Sequence, residues 1–275
     1  MNQYETIQNN ITKYLKNPKG INLVGGFVGS GKTTLLCDLL QNDFKDDICL
    51  ISFWGESLYK TQKRSYEISK EIDFPLSLVP QKIIKIEELC QSDKQIELIY
   101  SALNLNKTIF ASLHSSNVLN SYERIKYLLY CNEIISDKFI NNEINYCVNT
   151  YLATYYNEIL VPLKACNNNQ NYKSILDILI KYYPNMNMDN ILTIDESKSN
   201  LKNNYKHFLI TEEVLFDESF KKVLLTENKK SIKDYYHKYF YLNNLSIYIN
   251  NEKHNLIEKI LNGVIPIDFL KRYIH

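Results

Sequence analysis

The chain has 275 residues, 45% of them hydrophobic, and a net charge of +1. That is enough apolar material to bury one large core or two small ones, and the near-neutral balance gives no general electrostatic reason to bind nucleic acid or an anionic membrane. No run of ~18 apolar residues occurs, and the N-terminal MNQYETIQNN is polar where a signal peptide needs a charged start and an apolar centre, so a cytoplasmic protein without a membrane span is expected.

In chain order, Tyr4, Ile7, Ile11, Tyr14 and Leu15 recur at helical spacing, and Asn17, Pro18 and Gly20 end that helix. The following stretch, INLVGGFVGSGKTTLL, organises the rest. It reads as a strand from Ile21 to Val24, a glycine-rich turn, and a helix carrying Leu35, Leu36, Leu39 and Leu40. Gly26, Gly31, Lys32 and Thr33 fit the template G-x-x-x-x-G-K-[ST]. In such a loop the backbone N–H groups turn inward around an anion, which needs glycines where a Cβ would block the turn. Gly29 and Gly31 are best placed for that, with Ser30 between them. The helix points its positive end at the phosphates, Lys32 reaches the β- and γ-phosphates, and Thr33, followed by Thr34, offers a hydroxyl to magnesium. Gly26, Gly29, Ser30, Gly31, Lys32, Thr33 and Thr34 are therefore the expected nucleotide-binding residues.

Ile48 to Phe53 reads as a buried strand, Ser57 to about Glu71 as a polar helical stretch, Lys82 to Glu88 as a strand, Ile96 to Leu103 as an amphipathic helix and Thr108 to His114 as a strand. Alternating strands and helices predict a parallel sheet. A helix follows from Val118 to Leu129, a second around Phe139 to Tyr146, and then a strand candidate from Tyr151 to Leu163. Cys166 to Asn204 has the composition of a surface insertion around a short helix, Lys173 to Tyr183. His207 to Phe216 returns to strand character. Helices are expected at Ser219 to Leu225, Lys229 to Tyr239 and Ser246 to Asn262, with a last short one after Pro266. The six cysteines stand singly, without C-x-x-C spacing, which suits a reducing compartment and offers no zinc cluster.

Hydrolysis needs a carboxylate at the end of a neighbouring strand. Glu87 and Glu88 end the strand KIIKIEE, and side-chain alternation lets only one face the nucleotide. The competing reading is a pair of carboxylates beside a helix start. Farther on, ASLHSSNVLNSYERI places His114 at a strand end and Arg124 ten residues later on the next helix.

This stretch resembles the histidine box of the secretion and type IV pilus ATPases, and Glu88 precedes His114 by nearly the family interval. The resemblance extends through NEILVPLK and the C-terminal HFLITEEVLF and EKILNGVIPIDFLKRYI. It implies a RecA-like P-loop NTPase core with a helical C-terminal region, in the α/β class, divided as an N-terminal helix at 1–19, the core at 20–165, an Asn-rich insertion at 166–205 and a strand and helical region at 206–275. It further implies ATP and Mg²⁺ as ligands, with Thr33 and Glu88 at the metal. Glu88, His114, Glu56 and Arg124 would then be the catalytic set, Glu88 activating or orienting water and His114 with Arg124 coupling the γ-phosphate to the helix beyond. The implied assembly is a homo-oligomeric ring, a hexamer in the family, working with an inner-membrane platform protein of a pilus, competence or type II secretion-like system.

Three features depart from the family pattern. Its acidic box is reduced here to Glu56, within Ser52, Phe53, Trp54, Gly55 and Glu56; Cys90 and Gln91 replace the arginine and aspartate after the magnesium-site glutamate. The family has an N-terminal domain of ~100 residues, a usual small-domain size, that supplies arginines to the nucleotide, whereas about twenty residues precede the phosphate-loop strand here. Arginine-finger chemistry is then expected from another subunit or chain, with Arg64 a weak replacement. Only Cys166 stands where a four-cysteine zinc module would lie, and one thiolate makes no tetrahedral site. Two rival readings are therefore carried: a nucleotide-binding structural subunit that hydrolyses little, and an unrelated small-molecule kinase, against which three arginines in the whole chain argue.

Overall fold

The computed structural model describes residues 3–41, 48–52, 65–67, 80–86, 88–89, 93–130, 142–156, 160–163, 172–194, 205–226, 228–240, 242–250, 252–271 and 273. The chain divides into two compact units, one comprising Met1–Tyr151 with Thr211–Asn244, the other Leu152–Ile210 with Leu245–His275.

The first unit opens with helix α1 (Gln3–Leu15), strand β1 (Ile21–Gly26) and helix α2 (Lys32–Gln41). Strands β2 (Ile48–Ser52), β3 (Ser65–Glu67) and β4 (Ile83–Ile86) follow, then helix α3 (Asp93–Asn104), strand β5 (Thr108–Leu113) and helix α4 (Val118–Tyr130). Strands β6 (Ile144–Tyr156) and β9 (Tyr205–Leu215) contribute their portions on this side of the division, and helices α6 (Glu218–Thr226) and α7 (Lys229–Tyr239) complete the unit. The strand order is β9-β6-β1-β5-β4-β2-β3. β1 lies parallel to both β5 and β6, and β4 runs parallel to β5 and β2.

Every residue of β1, β4 and β5 is buried. This explains why they read as mainly apolar runs without regular polar alternation: a parallel sheet is covered on both faces, so neither face is given over to polar residues. Helices α3 and α4 turn Ile96, Ile99, Leu103 and Val118, Tyr122, Ile125, Leu129 into the same core as Ile21, Leu23, Ile84, Ile86 and Ile109. The predicted parallel sheet is thus observed.

Two helix expectations within this unit fail. Part of the 57–71 stretch is strand β3, paired with β2 through Ile51 and Tyr66; its other residues lie outside those described. Ile144 to Tyr146, expected in a helix, belong to β6 and pair with Ile21 and Asn22. Sheet pairing outweighs local helical spacing when the strand sits beside the central one.

The second unit holds the short antiparallel pair β7 (Leu160–Pro162) and β8 (Leu192–Ile194), helix α5 (Lys173–Tyr182), strands β10 (Leu245–Ile249) and β11 (Glu252–Asn255), and helix α8 (Leu256–Leu261). The single helix expected from Ser246 to Asn262 is instead a hairpin and a short helix. Ile249 pairs with Glu252, leaving two residues for the turn, and Asn250 takes φ 52°, a conformation asparagine tolerates. Asn255 then caps α8 by accepting from Glu258 N at 3.0 Å. Asp268 anchors this unit, accepting from the Tyr172 hydroxyl at 2.7 Å, Thr193 Oγ1 at 2.8 Å and Ile194 N at 2.9 Å.

Candidate functional site

The register of the parallel strands brings three chain segments to one edge of the sheet. Gly25 is level with Leu113, and Ile86 with Ala111. The residues that follow β1, β4 and β5, namely the glycine loop, Glu88 and His114, therefore emerge together at the strands' carboxyl ends, where open α/β sheets hold their ligands.

The loop from Gly26 to Gly31 leaves β1 and feeds α2. Gly29 and Gly31 take φ values of 72° and 88°, which favour glycine, and open space surrounds the position a Cβ would occupy on Gly29. The first four N–H groups of a helix have no intrahelical acceptor, and α2 begins at Lys32, with Leu35 N the first to bond back, to Gly31 O at 2.9 Å. Amides of the loop and of the helix start are thus available to an anion. Ser30 is buried and its hydroxyl lies 2.8 Å from Thr150 Oγ1, which donates to Gly25 O at 3.1 Å. Lys32 is buried as well, with Nζ donating to the loop's own Phe27 carbonyl at 2.8 Å. Burial pushes its ammonium pKa down, and the Glu88 carboxylate works in the other direction. Thr33 is half-buried and Thr34 exposed.

Glu88 and His114 meet. His114 Nε2 lies 2.5 Å from Glu88 Oε1, both side chains being partly open to solvent. The backbone holds the carboxylate there: Glu88 adopts φ 48°, donates its N–H to Ser112 Oγ at 2.9 Å and accepts from Gln95 Nε2 at 3.2 Å, while Leu89 N bonds Ser112 O at 2.7 Å. A glutamate in this left-handed region is uncommon and is kept only where its surroundings enforce it. Arg124 is exposed on α4, whose opposite face is buried. Glu56 and Glu87 lie outside the described residues, as does Arg64.

Behind the loop stands a polar network that sequence patterns did not single out. Ser115 Oγ is 2.6 Å from Ser121 Oγ and donates to Asn149 Oδ1 at 2.8 Å; Asn149 Nδ2 donates to Ser116 O at 3.2 Å. Gly25 exists to admit it, since a Cβ there would meet Ser115 Oγ at 2.1 Å, Ser121 Oγ at 2.3 Å and Asn149 Oδ1 at 2.7 Å. The start of α4 is held separately: Glu212, buried on β9, accepts from Val118 N at 3.0 Å and from the Tyr236 hydroxyl, to which Asn244 Nδ2 donates at 3.1 Å. The available signal was the adjacent polar pair Asn149–Thr150 in the middle of β6.

The parallel sheet, the phosphate loop after its central strand and the flanking helices define a RecA-like P-loop NTPase fold, and the chain carries a nucleotide-binding P-loop. Residues 20–52 match the family model described as CobW/HypB/UreG, nucleotide-binding domain. No curated protein matches the sequence. Among solved structures, the chain is similar to the pilus retraction motor PilT with bound ADP, at 12% identity and a TM-score of 0.52, over 89% of this chain and 62% of that one. It is also similar to the ATPase DotB of Legionella pneumophila, at 15% identity and a TM-score of 0.48, over 85% and 56% of the two chains, and to DotB of Yersinia pseudotuberculosis, at 13% and 0.49, over 92% and 57%. The chain thus spans about three-fifths of the length of these proteins. At 12% identity the likeness to PilT is one of fold. Among the described residues, no helix is long and apolar enough to cross a membrane.

Proposed function

We propose that this chain binds ATP with Mg²⁺ at the P-loop and hydrolyses it as a cytoplasmic motor subunit of a type IV pilus, competence or type II secretion-like machine. The observation that carries this reading is the Glu88–His114 contact at the same sheet edge as Lys32. A phosphate loop alone serves binding. A carboxylate paired with a histidine beside it supplies what hydrolysis adds.

In this reading the loop amides and Lys32 hold the β- and γ-phosphates. Burial of Lys32 strengthens that attraction, because a charge removed from water is screened less. The donor set suits magnesium: Thr33 is the second residue of α2 and Glu88 lies two residues beyond β4, one hydroxyl and one carboxylate, and magnesium commonly takes one or two protein ligands beside phosphate oxygens and water. Bound there, the ion would neutralise charge developing on the phosphates. Glu88 orients or activates the attacking water, and His114, bonded to it, holds the carboxylate in place. When His114 turns to the γ-phosphate, the loop Ser115–Asn117 and α4 with Arg124 feel the change. A homo-hexameric ring, peripheral to an inner-membrane platform protein, is the assembly this reading entails. It calls for no nucleic acid.

The second reading, a structural subunit that binds nucleotide and turns over little, rests on the replacement of the acidic box by Ser52, Phe53, Trp54 and Gly55. Steady-state hydrolysis and ATP affinity of Glu88→Gln and His114→Asn separate the two. The motor reading expects turnover to fall at least about a hundredfold for Glu88→Gln, the usual scale of a lost acid–base group, with ATP still bound. Equal turnover in both variants and the parent chain would remove Glu88 and His114 from the chemistry.

A further inference from the structure

The strands that end at the phosphate loop begin at a second concavity. A cleft of about 740 Å³ opens at the amino ends of β1, β4 and β5, lined by Lys16, Lys19, Lys82 and Lys107 together with Thr108 and Glu143. The six residues of β5 separate it from His114 by roughly 20 Å, at the usual rise per strand residue. It is therefore distinct from the nucleotide site.

Four lysines from three separate segments line the cleft, beside a single carboxylate, Glu143. Lys16, Lys19 and Lys82 make no ion pair among the described residues, and Lys107 Nζ donates to the Gln81 carbonyl at 2.9 Å. Burial pushes the Glu143 carboxyl pKa up, against the opposing pull of Lys221.

The backbone under these lysines is fixed. The Lys19 carbonyl accepts from the Tyr14 hydroxyl at 2.7 Å, Asn22 Nδ2 at 3.2 Å and Asn145 Nδ2 at 3.1 Å, and Lys19 N donates to the Tyr14 hydroxyl at 3.0 Å. Thr108 Oγ1 donates to the neighbouring Pro18 carbonyl at 2.9 Å. Solvated lysines on a mobile turn would need none of this. A turn pinned by five hydrogen bonds lowers the ordering cost of any ligand that bridges its lysine to Lys82 and Lys107.

We propose that this cleft binds a multiply phosphorylated small molecule at a site separate from the P-loop. Its volume lies within the ~300–1,000 Å³ of small-molecule sites. Lysines act as point charges toward phosphate, whereas planar carboxylate recognition favours the arginine fork, and no arginine lines the cleft.

The test is isothermal titration of the full chain carrying Lys32→Ala, so that the P-loop does not compete, with inorganic tripolyphosphate at low salt. Saturable binding to one site is expected, weakened at least about tenfold by adding Lys19→Glu and Lys82→Glu, two exposed positions where charge reversal should leave the fold intact. The milder Lys19→Gln with Lys82→Gln should give an intermediate loss, and thermal melts of each variant exclude misfolding as the cause. No saturable binding, or binding indifferent to both pairs of substitutions, would overturn the proposal. So would a poly-glutamate peptide that bound through the same lysines ten times more tightly than tripolyphosphate, because the cleft would then take an acidic chain segment.

Discussion

Replacing Gly25 with alanine tests whether the end of β1 and the loop after His114 are packed as one piece. The added Cβ would stand 2.1 Å from Ser115 Oγ, 2.3 Å from Ser121 Oγ and 2.7 Å from Asn149 Oδ1. Rotating one serine cannot relieve the clash, since these three groups bond to one another behind the strand. Overpacking of a well-filled interior costs about 1–3 kcal/mol. For a chain of this size each kcal/mol lowers the melting temperature by about 2–4 °C, so Gly25→Ala should melt roughly 2–12 °C below the parent. The displaced segment is Ser115–Ser116, directly after His114, so hydrolysis should fall by more than nucleotide affinity does. Scanning calorimetry and titration with a fluorescent ATP analogue measure the two effects. Adding Ser115→Ala removes the nearest atom and should recover part of the lost melting temperature. An unchanged melt for Gly25→Ala, with full activity, would refute the packing of these two segments.

Tyr236→Phe leaves buried Glu212 without one of its donors and should cost about 1–3 kcal/mol, with His114-dependent turnover reduced because Glu212 also holds the start of α4; urea denaturation and a turnover assay measure both. Burial alone would raise the Asp268 pKa, but hydrogen bonds from Lys271, Tyr172, Ile194 and Thr193 bring it net below its ordinary 3.8. The folded value is thus depressed, and the associated stability is present above pH 3.8 and lost as pH falls through the folded pKa. Acid denaturation followed by near-UV circular dichroism should show this loss in the parent, and Asp268→Asn should lack it while melting lower at neutral pH. Burial pushes the Cys147 thiol pKa up, and Cys37 is buried too, so neither should react with a thiol reagent until the chain unfolds. Rapid labelling of Cys147 in the native chain would contradict its placement beneath α4.

The P-loop was readable because its parts are consecutive: strand, glycines, lysine and helix all fall within residues 21–40. Glu88 and His114 were readable because each ends an apolar run, and parallel register does the rest. Thr150, Asn149 and Glu212 were not, because they reach the site from β6 and β9, strands whose place in the sheet no local pattern specifies. The hairpin at 245–255 was hidden for a different reason. Ile249, Leu256 and Ile260 fall at helical spacing, and only the turn at Asn250 and the cap at Asn255 mark β10, β11 and α8 as separate elements. Gly25 had no signal beyond being a second glycine; its necessity comes from Ser115, ninety residues on.

The most direct test of the central claim is magnesium-dependent ATP hydrolysis by the purified chain beside Lys32→Ala, with mass measured by light scattering in the same buffer. The account predicts turnover that Lys32→Ala abolishes, in a sample assembled as a ring. ATP bound with no Lys32-dependent turnover, even in an assembled ring, would contradict a motor in this chain alone and leave the nucleotide-binding structural subunit as the better account.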